Sequence, residues 1–190
     1  MAANAQDVLD FWFGAGAARG KARAEWYRKN PAFDEEIRHR FGSVMDAAAR
    51  RELDSWRAAP QAMIALVVVL DQFSRNLFRD DARAFAQDAY ARECAREALA
   101  RGDEATLLPV ERQFLYMPFE HSESLADQAL ALDRMASLDG FPETKGLLDY
   151  ARRHEAIIRR FGRFPHRNAA LGRPSTPEEI EFLGEPGSRF

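Results

Sequence analysis

Apolar residues recur along this chain at helical spacing, in stripes separated by short breaks marked by glycine, proline or polar residues, and no stretch alternates as a half-buried strand would. Asn4 can cap a first stripe of Val8, Leu9, Phe11, Trp12 and Phe13, which Gly14 to Gly20 stops. Those glycines come after no predicted strand and have the spacing of neither nucleotide-binding loop, so the segment reads as a linker. Trp26 and Tyr27 read as a short packing segment, and Asn30-Pro31 starts a second helix carrying Phe33, Ile37, Phe41 and Val44. From Pro60 the residues Met63, Ile64, Leu66, Val67, Val68, Val69, Leu70, Phe73 and Leu77 are apolar nearly all round, which marks a central helix.

Further along, Asp81 is expected to cap a helix reaching Ala100 and closed by Gly102, and Pro109 opens a short helix that Pro118 bends or breaks. Ser124 with Asp127 resembles a capping box for a helix ending near Gly140. A helix over Pro142 to Phe161 comes next, and Thr176-Pro177 starts a last short one within a C-terminal segment, 172–190, of helix and tail. The pattern predicts about eight or nine helices in one all-α domain spanning 1–190, a bundle or superhelix. No clean repeat of roughly 34 residues is present, so periodicity alone does not establish a tetratricopeptide array.

Composition narrows the class. The 190 residues are 46% hydrophobic and 30% charged, as in an ordinary soluble protein. The longest apolar run, Ala62 to Leu70, is about half of what spans a bilayer, so no membrane segment is expected. A single cysteine, Cys94, excludes an internal disulfide framework and fits a reducing cytoplasm. The N-terminus lacks a basic segment ahead of an apolar one, so no secretory signal is expected. Trp12, Trp26 and Trp56 read as core or interface anchors.

Charge points to the first chemistry. The formal net charge is −3, yet the stretch from His154 to Asn168 sets Arg159, Arg160, Arg163 and Arg167 against Glu155 alone. A local cationic patch on a mildly acidic chain suits a small anion better than nucleic acid. His154 shares an apolar face with Ala151, Ile157 and Ile158, Gly162 ends that helix, and Pro165 stiffens the segment beyond it. Arg163, His166, Arg167 and Asn168 then sit on a restricted turn. In structural terms they are a capped helix end with solvated arginines; as a site, they are preorganised donors with His166 available for proton transfer.

Two more constellations join it. Asp71 and Arg75 continue the apolar stripe of the central helix, and buried charges must pair, so their spacing suits a mutual salt bridge with Gln72, Asn76 and Arg79 on the adjoining face. The pair either fixes helix register or aims an acid and donors into a pocket. In Pro118-Phe-Glu-His-Ser-Glu123, His121 stands between Glu120 and Glu123 and is either an acid–base group or an exposed loop residue. None of the tight spacings of zinc or calcium sites occurs, no nucleophile elbow is present, and neither metal nor cofactor is indicated.

Phe11-Trp-Phe-Gly14, Leu70-Asp-Gln-Phe-Ser-Arg-Asn76 with Arg79, Tyr116-Met-Pro-Phe-Glu-His-Ser-Glu123 with Leu125-Ala-Asp-Gln128, and Arg160-Phe-Gly-Arg-Phe-Pro-His-Arg-Asn168 with Leu171-Gly-Arg and Ser175-Thr-Pro-Glu-Glu together resemble the bacterial domain-of-unknown-function family 924. The resemblance covers nearly the whole chain. It implies an all-helical fold of tetratricopeptide-like superhelical type and implies no established activity. The chain departs from the family pattern at Ser74, where proline is usual; serine imitates the proline kink only by bonding back to the preceding turn.

The combined expectation is that the three polar stretches converge on a pocket for a small anionic metabolite. Arg75, Arg79, Arg163 and Arg167 would neutralise a phosphate or carboxylate, and Gln72, Asn76 and Asn168 would orient it. His121, His154 or His166, tuned by Glu120, Glu123 or Asp71, would move a proton in hydrolysis or group transfer. The alternative is a tetratricopeptide-like scaffold that binds a peptide or protein, its polar motifs serving only to lock the fold.

Overall fold

The computed structural model describes residues 3–188, and among these every regular element is helical. Asn4 caps α1 (Ala5–Phe13) through a reciprocal capping box with Asp7, and Asn30 caps α2 (Pro31–Ala49), whose first-turn proline needs no hydrogen-bond partner. The central rod is α3 (Pro60–Val68), a π turn (Val69–Phe73) and a final α turn, α4 (Ser74–Leu77), all in one continuous run. Then come α5 (Asp88–Arg101), α6 (Pro109–Glu120), α7 (Leu125–Ala136), α8 (Leu147–Phe161) and α9 (Pro177–Leu183).

Three boundaries differ from expectation. Asp81 caps only a short turn, Ala82–Ala84, and α5 begins afresh at Asp88, because the chain bends between them. Likewise Pro142–Thr144 is a separate turn, and α8 starts after Gly146, whose positive φ of 88° suits glycine. Ser124 precedes α7 but its side chain does not cap it; Ser122 instead donates to Asp127 at 2.7 Å. Pro118 lies within α6, which runs two residues beyond it to Glu120.

The core forms around the rod because its residues from Met63 to Leu70 are fully buried on every side. An aromatic cluster from α1, α2, α6 and the rod surrounds it: Trp12 meets Phe114 edge-on at 5.4 Å, and Phe11 stacks on Phe33 at 5.0 Å. Trp26 packs edge-on against Phe114 at 4.9 Å and donates its indole N–H to the Trp12 carbonyl. Cys94 is buried in α5, and burial pushes its thiol up to about 12, so it packs as an inert apolar group. A second, smaller cluster of Ile157, Ile158 and Phe164, with Phe161 and Phe182 against it, ties α9 to the end of α8.

The π turn is the irregularity that positions the polar groups. Widening the helix there displaces carbonyls from their usual partners, and side chains take them up: Ser74 Oγ donates to Leu70 O at 2.7 Å, and Arg75 Nη1 to Asp71 O at 2.6 Å. Ser74 thus performs the back-bonding that its place in the sequence suggested.

Candidate functional site

Asp71 is fully buried in the π turn and anchors a connected polar network. One carboxylate oxygen lies 2.8 Å from His121 Nδ1 and 3.2 Å from Arg75 Nη1, and the other accepts from Gln72 Nε2 at 2.6 Å. Burial alone would raise the Asp71 carboxyl, but the Arg75 charge and the bonds from His121 and Gln72 outweigh it and hold the group ionised, below the ordinary carboxylate range. Arg75 also reaches Asp88 at 3.0 Å, and Asp88 in turn lies 3.4 Å from Arg167. The Arg167 guanidinium sits over the rings of Phe85 at 4.7 Å and Phe164 at 4.4 Å. Burial, with the neighbouring Arg75 charge, brings Arg167 down to about 10.

Three histidines stand beside this network. Burial lowers His121 below its ordinary value, against the opposing pull of Asp71, so the imidazole is neutral. A neutral ring bonded to an ionised carboxylate through Nδ1 must carry its proton there, which leaves Nε2 as the basic nitrogen of a residue that lines the cavity. His154 also faces a carboxylate: Nδ1 lies 3.0 Å from Glu120 and 3.0 Å from the Tyr150 carbonyl, and its ring centre is 6.2 Å from that of His121. His166 stands 5.6 Å from the Phe164 ring, and burial together with the Arg167 charge lowers it to about 3.

These groups surround one cavity of about 1020 Å³. The rod contributes Gln72, Arg75 and Asn76, the turn just beyond it contributes Arg79, the end of α6 contributes Glu120 and His121, α8 contributes His154, and the turn after α8 contributes His166 and Arg167. Asp71 reaches the wall through its bonds to Gln72, Arg75 and His121. Three residues singled out in the sequence lie elsewhere. Glu123 pairs with Arg173 at 2.7 Å and accepts the Phe164 N–H at 2.8 Å. Arg163 pairs with Glu179 at 2.6 Å, and Asn168 donates to Ser175 Oγ at 3.1 Å and to Glu179 at 3.3 Å. Their bonds fix the turn that presents His166 and Arg167, so they act on the cavity by holding its wall.

Sequence reasoning missed two kinds of participant. Asp88 and Asp34, the counterions of the arginines, sit in first helical turns, where an acid is unremarkable. Asp34 holds Arg79 at 2.6 Å and accepts from Asn76 at 2.7 Å. The other omission is the mouth, which Tyr27, Arg28, Lys29, Lys145, Tyr150 and Arg153 line. No local motif marks these, since they come from two turns and the exposed start of α8. Among the described residues no group of three or more His, Cys, Asp or Glu is placed to hold a metal ion, and no helix is long and apolar enough to cross a membrane.

A family model described as "Bacterial protein of unknown function (DUF924)" matches residues 8–187. A solved structure of a protein of unknown function from Agrobacterium tumefaciens is 42% identical, covers 95% of this chain and 96% of that one, and superposes with a TM-score of 0.85. No curated protein matches the chain. The match over nearly its whole length shows that this all-helical chain belongs to the bacterial DUF924 family of unknown function.

Proposed function

We propose that the cavity binds a small metabolite bearing a phosphate or carboxylate, and that His121 moves a proton in hydrolysis or group transfer. The observation that carries this reading is the Asp71–His121 pair: a buried ionised carboxylate bonded to Nδ1 leaves Nε2 as the basic nitrogen of an imidazole that lines the cavity. Network-forming side chains this costly to desolvate, set at a π turn in the central helix, suit a site better than a fold that needs only apolar packing. In the reaction, Nε2 of His121 takes a proton from a water or hydroxyl as its oxygen bonds to phosphorus or to an acyl carbon. The imidazolium then returns a proton to the departing oxygen. An arriving anion raises the proton affinity of the nearby imidazole, so binding itself tunes the base. Gln72 and Asn76 offer amides for orientation. A buried, inert Cys94 suits a cytoplasmic protein. The peptide-scaffold alternative has no comparable observation behind it.

The test is calorimetric titration with a panel of small phosphates and carboxylates, using the native chain and His121→Asn. We expect a binder whose hydrolysis or transfer product disappears in His121→Asn while the affinity persists. A native chain that binds none of the panel would remove the reading.

A further inference from the structure

The arginines that line the floor are already neutralised. Arg75 has Asp71 and Asp88, Arg167 has Asp88, and Arg79 has Asp34. Further out, Arg28, Lys29, Lys145 and Arg153 line the cavity together with Glu25, Asp80, Glu143 and Asp149, and among the described residues none of these four cations is in a close ion pair, although Lys29 is near enough to Asp34 to lower its carboxyl. Unpaired cations are where an incoming anion gains most, because no resident carboxylate must be displaced.

Beside these cations stand two tyrosines that are among the most exposed large hydrophobic side chains of the protein, Tyr27 at 52% and Tyr150 at 45%. Tyr27 is not loose: its hydroxyl accepts from the buried Gln113 Nε2 at 2.9 Å, and its ring packs edge-on against Trp26 at 6.1 Å. Tyr150 lies 6.0 Å from the His154 ring, and the Arg153 guanidinium sits 5.4 Å from its ring centre. Exposed, anchored aromatic faces next to unpaired cations form a surface for stacking a planar group at small entropic cost. The cavity, at about 1020 Å³, is also far larger than a lone phosphate or acetate requires.

We propose that the ligand is an anion joined to a planar ring: Tyr27 and Tyr150 take the ring, Lys29 and Arg153 take the anionic group, and the floor histidines face the bond between ring-bearing and transferred parts. This rests on the anion-binding reading above and goes further by naming the chemical class and by moving the anion's seat from the floor arginines to the mouth.

The experiment titrates the whole chain with matched pairs, monitored by Trp26 fluorescence: adenosine monophosphate against ribose 5-phosphate, phenyl phosphate against inorganic phosphate, and indole carboxylate against acetate. In at least one pair the ring-bearing member should bind about tenfold or more tightly, the scale of a single aromatic stack. Tyr27→Leu and Tyr150→Leu should erase that advantage, Tyr27→Phe should keep it, and Lys29→Gln with Arg153→Gln should weaken every anion. The leucine and glutamine variants change exposed side chains, so their melting temperatures serve as the folding control. If ring-free anions bind as well as their partners, the ring assignment falls and the anion site stands. If no member of any pair binds, both readings fall together.

Discussion

Asp71 and His121, fifty positions apart in sequence, meet at 2.8 Å between a carboxylate oxygen and Nδ1. The carboxylate also neutralises Arg75, so its removal leaves a guanidinium in the protein interior with half its counter-charge. Asp71→Asn should cost about 3 kcal/mol, the usual penalty for breaking a buried pair from one side. Urea denaturation measures it, and a loss under about 1 kcal/mol would mean that the network is solvated.

The tautomer of His121 is directly observable. With its proton on Nδ1 and its affinity lowered by burial, the ring should give the nitrogen shifts of a neutral, Nδ1-protonated imidazole at pH 7. A titration midpoint above about 6.5, the unperturbed value, would contradict the burial argument.

Acid should destabilise the fold in two stages. His121 and His166 bind protons less readily in the folded chain, His166 only near pH 3, so the unfolded chain is protonated first. They leave stability untouched above about pH 6.5 and erode it below, with His166 alone contributing on the order of 1–2 kcal/mol by pH 5. Asp71, held below the carboxylate range, adds its loss only under about pH 4. Melting temperature measured from pH 7 to 4 should fall throughout, and His166→Gln should flatten the upper part of the curve.

Ser74 should tolerate proline. Its ring would ordinarily collide with the carbonyl four residues earlier, at about 3 kcal/mol in a regular helix. Here that carbonyl, Leu70 O, belongs to the widened π turn and is reached by the serine hydroxyl at 2.7 Å. Ser74→Ala should cost about 1 kcal/mol by leaving this buried acceptor unmet. Ser74→Pro should cost clearly less than the regular-helix figure in the same denaturation assay.

Glu179 is buried, receives Arg163, Asn168 and the Thr176 N–H, and is held ionised to about pH 2, chiefly by Arg163. Glu179→Gln should loosen α9 and the His166 turn while sparing the main core, because that end of the chain packs on its own small cluster. Hydrogen exchange should quicken in 163–183 and stay slow in α3. Uniform quickening would show that the two clusters unfold as one.

The sequence carried the helices and the floor of the cavity because both arise from local period. An acid and an arginine on an apolar stripe have to pair, and a histidine on such a stripe has to find a partner, whatever surrounds them. The π turn was hidden because no residue signals a widened helix as proline signals a broken one. Asp88, which holds Arg75 and Arg167 across 13 and 79 positions, was hidden because its sequence neighbours explain it fully as a helix-start acid. The mouth escaped for the opposite reason: Tyr27, Lys29 and Arg153 have no periodic role, and only the fold gathers them.

The floor of the cavity is electrically self-contained, since Asp71, Asp88 and Asp34 answer the arginines beside them without help from any ligand. Such a floor lets a lineage exchange what it recognises without rebuilding what it stands on. Substitutions at Arg28, Lys29 or Lys145, exposed and on turns, alter the charge presented to a visitor and disturb no interior contact. On the function proposed above, members of one family can keep the Asp71–His121 pair and diverge in ligand, so an activity measured in one relative would identify the chemistry of the others more reliably than their substrates.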